Sequence, residues 1–151
     1  MIRKPLLALA GACVAFAAFA SEPVTNVAPD ELQARQQQVN EELYVLDVRT
    51  PEEFVAGHVP GAVNIPFDQV AARLDEVPKD KDVVLYCKSG RRAGLASEVP
   101  ANHGYTRLQH LEGDIVGWVD QGRPLEKPKD AAACVAALKG GQSAAQACAP
   151  E

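Results

Sequence analysis

After Phe19 the chain has no apolar run of the roughly 18 residues that a membrane span needs, which excludes a transmembrane helix from the rest of the sequence. Net positive charge is absent as well: the chain stands at −5 at pH 7, so it offers no bulk attraction for nucleic acid or anionic lipid. Histidine and cysteine are scarce, three and four in 151 residues, and no pair of histidines, cysteines or carboxylates has metal-ligand spacing. No metal or other cofactor is expected.

What is present begins with an export pattern. Arg3 and Lys4 precede an apolar stretch from Leu6 to Phe19, and Ala18-Phe19-Ala20 has the small-x-small form of a cleavage site before Ser21. Residues 1–20 therefore read as a cleaved signal peptide, which predicts a periplasmic or secreted protein. A rival reading rests on the lipobox-like Leu9-Ala10-Gly11-Ala12-Cys13, in which Cys13 is acylated and the protein anchored. Against it, Ala10 replaces a bulky aliphatic residue three positions before Cys13. Without Arg3 and Lys4 the mature chain carries 13 basic against 20 acidic residues. Its 131 residues suit one domain with one sizeable core.

Cys87-Lys88-Ser89-Gly90-Arg91-Arg92 stands out on this acidic background. The β-branched run Asp82-Val83-Val84-Leu85-Tyr86 ends in the cysteine, a short glycine-bearing loop follows, and a helix-compatible segment begins. Backbone N–H groups converging at a helix start favour a thiolate, and Lys88, Arg91 and Arg92 add to the effect while attracting an anion. Nucleophilic sulfur chemistry follows. A mature chain without Cys13 keeps Cys87, Cys134 and Cys148, an odd number. A Cys134–Cys148 bridge would add about 3 kcal/mol in the chain-entropy model and leave Cys87 free; a bridge from Cys87 to either tail cysteine would instead cap the site.

Strand-like and helix-like segments alternate from Asn26 to Gly122. Asn26-Val27, Leu43 to Val48, Ala62 to Ile65, Asp82 to Tyr86 and Tyr105 to Leu108 read as strands. Pro29 opens a helix, and Thr50-Pro51-Glu52-Glu53 forms a capping box for another. Asp68 is read as the cap of a helix ended by Pro78, and the helix after the Cys87 loop is expected to end or kink early at Pro100. Ile115 to Val119 forms an amphipathic helix closed by Gly122. This alternation predicts an α/β fold, a five-stranded parallel sheet with helices on both faces, with its ligand site at the strands' C-terminal ends. Residues 124–151 read as a linker and an alanine-rich tail, either two short helices, the second capped by Ser143 and stapled to the first by Cys134 and Cys148, or a disordered segment.

Val45-Leu46-Asp47-Val48-Arg49-Thr50-Pro51-Glu52-Glu53-Phe54, Gly57-His58-Val59-Pro60-Gly61-Ala62 with Asn64-Ile65-Pro66, the Cys87 loop, and Leu111-Glu112-Gly113 with Trp118 together resemble the rhodanese family over residues 26–123. The exported setting is similar to that of single-domain periplasmic thiosulfate sulfurtransferases. The resemblance implies a small-molecule sulfur donor such as thiosulfate, a persulfide on Cys87, and transfer to cyanide or a thiol. It implies that Lys88, Ser89, Gly90, Arg91 and Arg92 cradle the sulfur and bind the substrate. Asp47, Arg49, Glu53 and His58 are expected to be structural, with Arg49 tied to carboxylates such as Glu53. Asp114 departs from the family, which often has a second glycine there. Two other functions stay open: a non-catalytic sulfur carrier or interaction module, and a cysteine-dependent phosphatase or arsenate reductase. The latter calls for arginine at the sixth position after the cysteine, where Ala93 stands.

Overall fold

The computed structural model describes residues 23–38, 42–142 and 148–150. The signal-peptide and Cys13 readings, and the Ser143 cap, lie outside the described residues. Five strands run β1 Thr25–Val27, β2 Leu43–Asp47, β3 Val63–Asn64, β4 Asp82–Tyr86 and β5 Leu108–Leu111. They form one sheet in the order β1-β5-β4-β2-β3, with every pairing parallel. Helices α1 Pro29–Gln37, α2 Pro51–Ala56, α3 Arg91–Asn102, α4 Asp114–Asp120 and α5 Ala131–Lys139 cover it.

The two-residue alternation of strand side chains sorts the core into two layers. Val45, Val84, Tyr86 and Leu111 face one side, where they meet Leu32 of α1, Phe54 of α2, Trp118 of α4 and Leu138 of α5. Leu46, Val83, Leu85 and Cys87 face the other, against Ala93 and Ala96 of α3 and Val70 and Val77 of the connecting segment. Both faces of β4 are buried, which is why it reads as a continuous apolar run rather than an alternating one. No described helix is long and apolar enough to cross a membrane.

Local signals set most helix starts. Pro29 and Pro51 occupy first-turn positions, and the Thr50 hydroxyl accepts from Glu53 N–H while the Glu53 carboxylate accepts from Thr50 N–H. Three expectations need correction. The segment after Asp68 is a series of tight turns ending in a 3₁₀ turn, Leu74–Glu76, rather than an α-helix. An α-helix would send the residue-78 N–H to the Leu74 carbonyl, but residue 78 is proline; Val77 N–H and the Tyr105 hydroxyl take that carbonyl instead. Helix α3 does not stop at Pro100 but continues to Asn102, because so near the helix end the missing N–H forfeits a single bond. The last strand begins at Leu108 rather than Tyr105, whose N–H is spent on the Pro100 carbonyl at the end of α3.

Helix α5 of the alanine-rich tail is packed against the domain. Asp130 caps α5 by accepting from Ala133 N–H, Cys134 and Leu138 are fully buried against the first layer, and Cys134 is bonded to Cys148. Cys87 is the free cysteine among the described residues. Cys134→Ser is expected to lower unfolding free energy by about 3 kcal/mol, since it releases a loop of 14 residues' separation; urea unfolding with and without reductant checks this.

Candidate active site

Cys87 directly follows β4, at the C-terminal end of the sheet's central strand, and is 1% exposed. Gly90 has φ 99°, a left-handed backbone that suits glycine, and the turn brings its N–H to Cys87 Sγ at 3.1 Å. This single contact needs the Cys-x-x-Gly spacing. A charged or persulfidic sulfur at this position meets a donor already aimed at it.

Arg92, in the first turn of α3, also reaches Cys87, but its main partner is Glu53: Nη1 donates to Oε2 at 2.6 Å and Nη2 to Oε1 at 2.8 Å. These bonds hold the Glu53 carboxyl down to about 2 and raise Arg92 above its ordinary value, with Cys87 adding a smaller part. The tie between α2 and the loop is thus fully present above pH 4.5 and is lost only as pH falls toward about 2. Arg92 therefore braces the loop as well as facing the sulfur. Lys88, Ser89 and Arg91 are exposed. Lys88 borders an open cavity of about 410 Å³ together with Arg49, Glu53, Ile115 and the exposed Val116 and Val119.

Arg49 pairs with Asp47 rather than Glu53, which corrects the expected tie. Its Nε lies 3.0 Å from both Asp47 oxygens, its Nη2 lies 2.5 Å from Oδ2, and Nη2 also donates to the Gly57 carbonyl. The reason is geometric: two residues apart at a strand's end, the two side chains fold onto each other inside the protein, while Glu53 points along α2 toward the loop. The Tyr86 hydroxyl donates to Asp47 Oδ2 at 2.7 Å and accepts from Val59 N–H. Burial lowers Arg49, and the Asp47 hydrogen bonds more than compensate; burial with Asp47 beside it raises the Tyr86 phenol well above its usual value. His58 stacks on Phe54 at 3.7 Å, its Nδ1 bonds the Phe54 carbonyl, and burial keeps it below its ordinary value. These groups join β2, β4 and the 57–59 turn, and none of the hydrogen bonds they make goes to Cys87.

Two residues given no role from sequence stand beside the loop: Asp114 bonds Cys87 directly, and His110 bonds Asp114. Asp114 Oδ1 accepts from Cys87 N–H at 2.7 Å, and His110 Nε2 lies 3.1 and 3.2 Å from the Asp114 oxygens. The signal was an aspartate in place of a glycine, four residues after a histidine.

The ligand crevice of a parallel α/β sheet lies at the carboxyl ends of its strands, and here it holds a thiol; the class is an α/β domain with a free cysteine at that end of its central strand. Residues 28–121 match the Rhodanese-like domain family, and the chain belongs to it. A curated relative named "Sulfurtransferase" from Allochromatium vinosum is 38% identical over 89 residues, 59% of this chain and 83% of the relative. "Thiosulfate sulfurtransferase PspE" from Escherichia coli is 40% identical over 70 residues, 45% of this chain and 67% of its own length; of a further relative the chain spans 59%. Among solved structures, a rhodanese-related protein from Thermoplasma volcanium superposes with a TM-score of 0.60 at 26% identity, over 67% of this chain and 96% of that one. Sulfur transfer in general is the chemistry to which family and relatives point.

Proposed function

We propose that the protein is an exported sulfurtransferase that moves the outer sulfur of thiosulfate, or of a similar sulfane donor, to cyanide or a thiol through a persulfide on Cys87. The observation that carries this reading is the Gly90 N–H aimed at Cys87 Sγ in a loop braced by Arg92. In the first step the Cys87 thiolate attacks the outer sulfur, the donor's sulfur–sulfur bond breaks, and its electron pair leaves with sulfite. In the second the acceptor attacks the terminal sulfur of the persulfide and Cys87 departs as thiolate. Sulfite and the thiolate are both stable anions, so neither departure needs a proton. Lys88, at the cavity, and the exposed Arg91 of the same loop meet the sulfonate oxygens, while Arg92 stays with Glu53.

The loop is one residue too short for a phosphate cradle of the cysteine–arginine kind, since Ala93 occupies the sixth position after the cysteine. The signal-like pattern of residues 1–20 supports a reaction outside the cytoplasm. Mature protein incubated with thiosulfate is expected to gain one sulfur on the Cys87 peptide by mass and to release thiocyanate when cyanide follows. A stable adduct without turnover favours a carrier. Failure to form an adduct, or an adduct on another residue, overturns the reading.

A further inference from the structure

A buried carboxylate beside a sulfur that must carry negative charge is an unfavourable arrangement unless something offsets it. Asp114 creates that situation. Its side chain is 4% exposed, its φ of 54° is the only positive value at a non-glycine among the described residues, and its Oδ1 receives the Cys87 N–H. Aspartate tolerates this backbone better than most residues. The following N–H, of Ile115, donates to the Cys87 carbonyl, so the start of α4 holds both faces of the cysteine's backbone. The loop rests on the pair: a Cβ at Gly90 would stand 3.2 Å from Asp114 Oδ2 and 3.4 Å from His110 Cε1.

Resting on the sulfur-transfer reading above, we propose that His110 and Asp114 act as a positioning pair whose shared proton sets the alkaline limit of Cys87's reactivity toward anionic sulfur donors. With His110 protonated the pair is neutral, and Asp114 serves as an acceptor that orients Cys87. With His110 neutral, an uncompensated carboxylate opposes both the thiolate and the incoming donor.

The surroundings leave this control to few groups. His110 is flanked across the strands by Asn26 of β1 and Leu85 of β4, neither of which titrates, and meets Gly90 from the loop and Asp114 from α4. Asp114 faces His110 and Cys87. Arg92 of α3 faces Cys87 but is neutralised by Glu53 of α2, and Lys88 and Arg91 are exposed. The His110 ring is 29% exposed, so its proton exchanges with solvent. Its bond to Asp114 holds His110 above its ordinary 6.5. Burial alone would raise Asp114, yet the bonds from His110 and Cys87 N–H hold it below its usual value. The pair's contribution is therefore complete below pH 6.5 and is lost as pH rises through the raised His110 value.

Asp114→Asn keeps the acceptor for Cys87 N–H and tolerates the left-handed backbone while removing the charge. His110→Gln leaves the charge without its cation. Single-turnover sulfur uptake from thiosulfate, followed by quenched intact mass from about pH 6 to about pH 9, separates them. Wild type is expected to slow about tenfold across the alkaline half, D114N to lack that fall, and H110Q to be about tenfold slow already at neutrality. The double variant is expected to return to within about twofold of D114N, and the His110 imidazole midpoint by NMR to drop about one pH unit in D114N. A wild-type profile shared by D114N, a double variant as slow as H110Q, or an unmoved His110 midpoint overturns the proposal. Wild type that takes up no sulfur at any pH overturns the sulfur-transfer reading, and this inference with it.

Discussion

Cys87→Ser is expected to reduce both sulfur uptake and thiocyanate release to background while the fold survives. An alcohol at neutral pH stays protonated, and a serine here has no base to activate it. His58 is committed to the Phe54 carbonyl and stacked on its ring, and His110 is committed to Asp114. The structural cost is small because the hydroxyl still offers an acceptor to Gly90 N–H; unfolding free energy is expected to change by no more than about 2 kcal/mol. Thermal melting and the cyanide assay on one preparation separate the two effects. Retained thiocyanate release would place the transferable sulfur elsewhere. Among the described residues the other cysteines, Cys134 and Cys148, are bonded to each other, so such a result would remove Cys87 from the reaction altogether.

Asp47→Ala is expected to cost about 3–5 kcal/mol, the range for leaving a buried charge without its partner. Arg49 is 5% exposed, and without Asp47 its guanidinium keeps the Gly57 carbonyl and the Tyr86 ring but no carboxylate hydrogen bond. The Tyr86 hydroxyl, fully buried, loses its acceptor at the same time. Against a typical total of about 5–15 kcal/mol, that loss takes a large share of the stability. It is also placed to reach the site, because Tyr86 immediately precedes Cys87. Urea unfolding of D47A, R49M and the double variant tests the argument. The double variant, which removes the stranded charge, is expected to be more stable than D47A. A cost below about 1 kcal/mol for D47A, or a double variant as unstable as the sum of the singles, would show that the network is not buried as described.

The position of Cys87 and its loop was legible because its signal is local. A β-branched strand, a cysteine, a glycine three residues on and a basic helix start lie within eleven consecutive residues, and chain geometry alone carries the glycine N–H back to the sulfur. The capping box at Thr50 and Glu53 was legible for the same reason, as were the neighbouring strands β2 and β4, which announce themselves by nearly unbroken apolar runs. Segment 67–77 and Pro100 misled because one helix-breaking proline deflects a chain in one context and is absorbed in another, and the outcome depends on which carbonyls find other donors. For Leu74 that donor is the Tyr105 hydroxyl, 31 residues away.

Ion-pair partners were less legible still. Arg49 with Glu53 and Arg49 with Asp47 are both reachable in sequence; burial of the strand end against the 57–59 turn selected Asp47, and the approach of α3 to α2 gave Glu53 to Arg92. Asp114 read only as a departure from a glycine, and its meaning came from the closure of the sheet, which sets α4 against the end of β4 across 27 residues. By itself the sequence determined the sheet class, the cysteine and its loop, since these follow from contacts within a few residues. Tertiary structure alone decided what stands around that sulfur: Arg92 braced by Glu53, and a histidine and aspartate beneath the loop. Electrostatics in a low-dielectric interior depend on distances of a few ångströms between distant segments, and no local pattern encodes them.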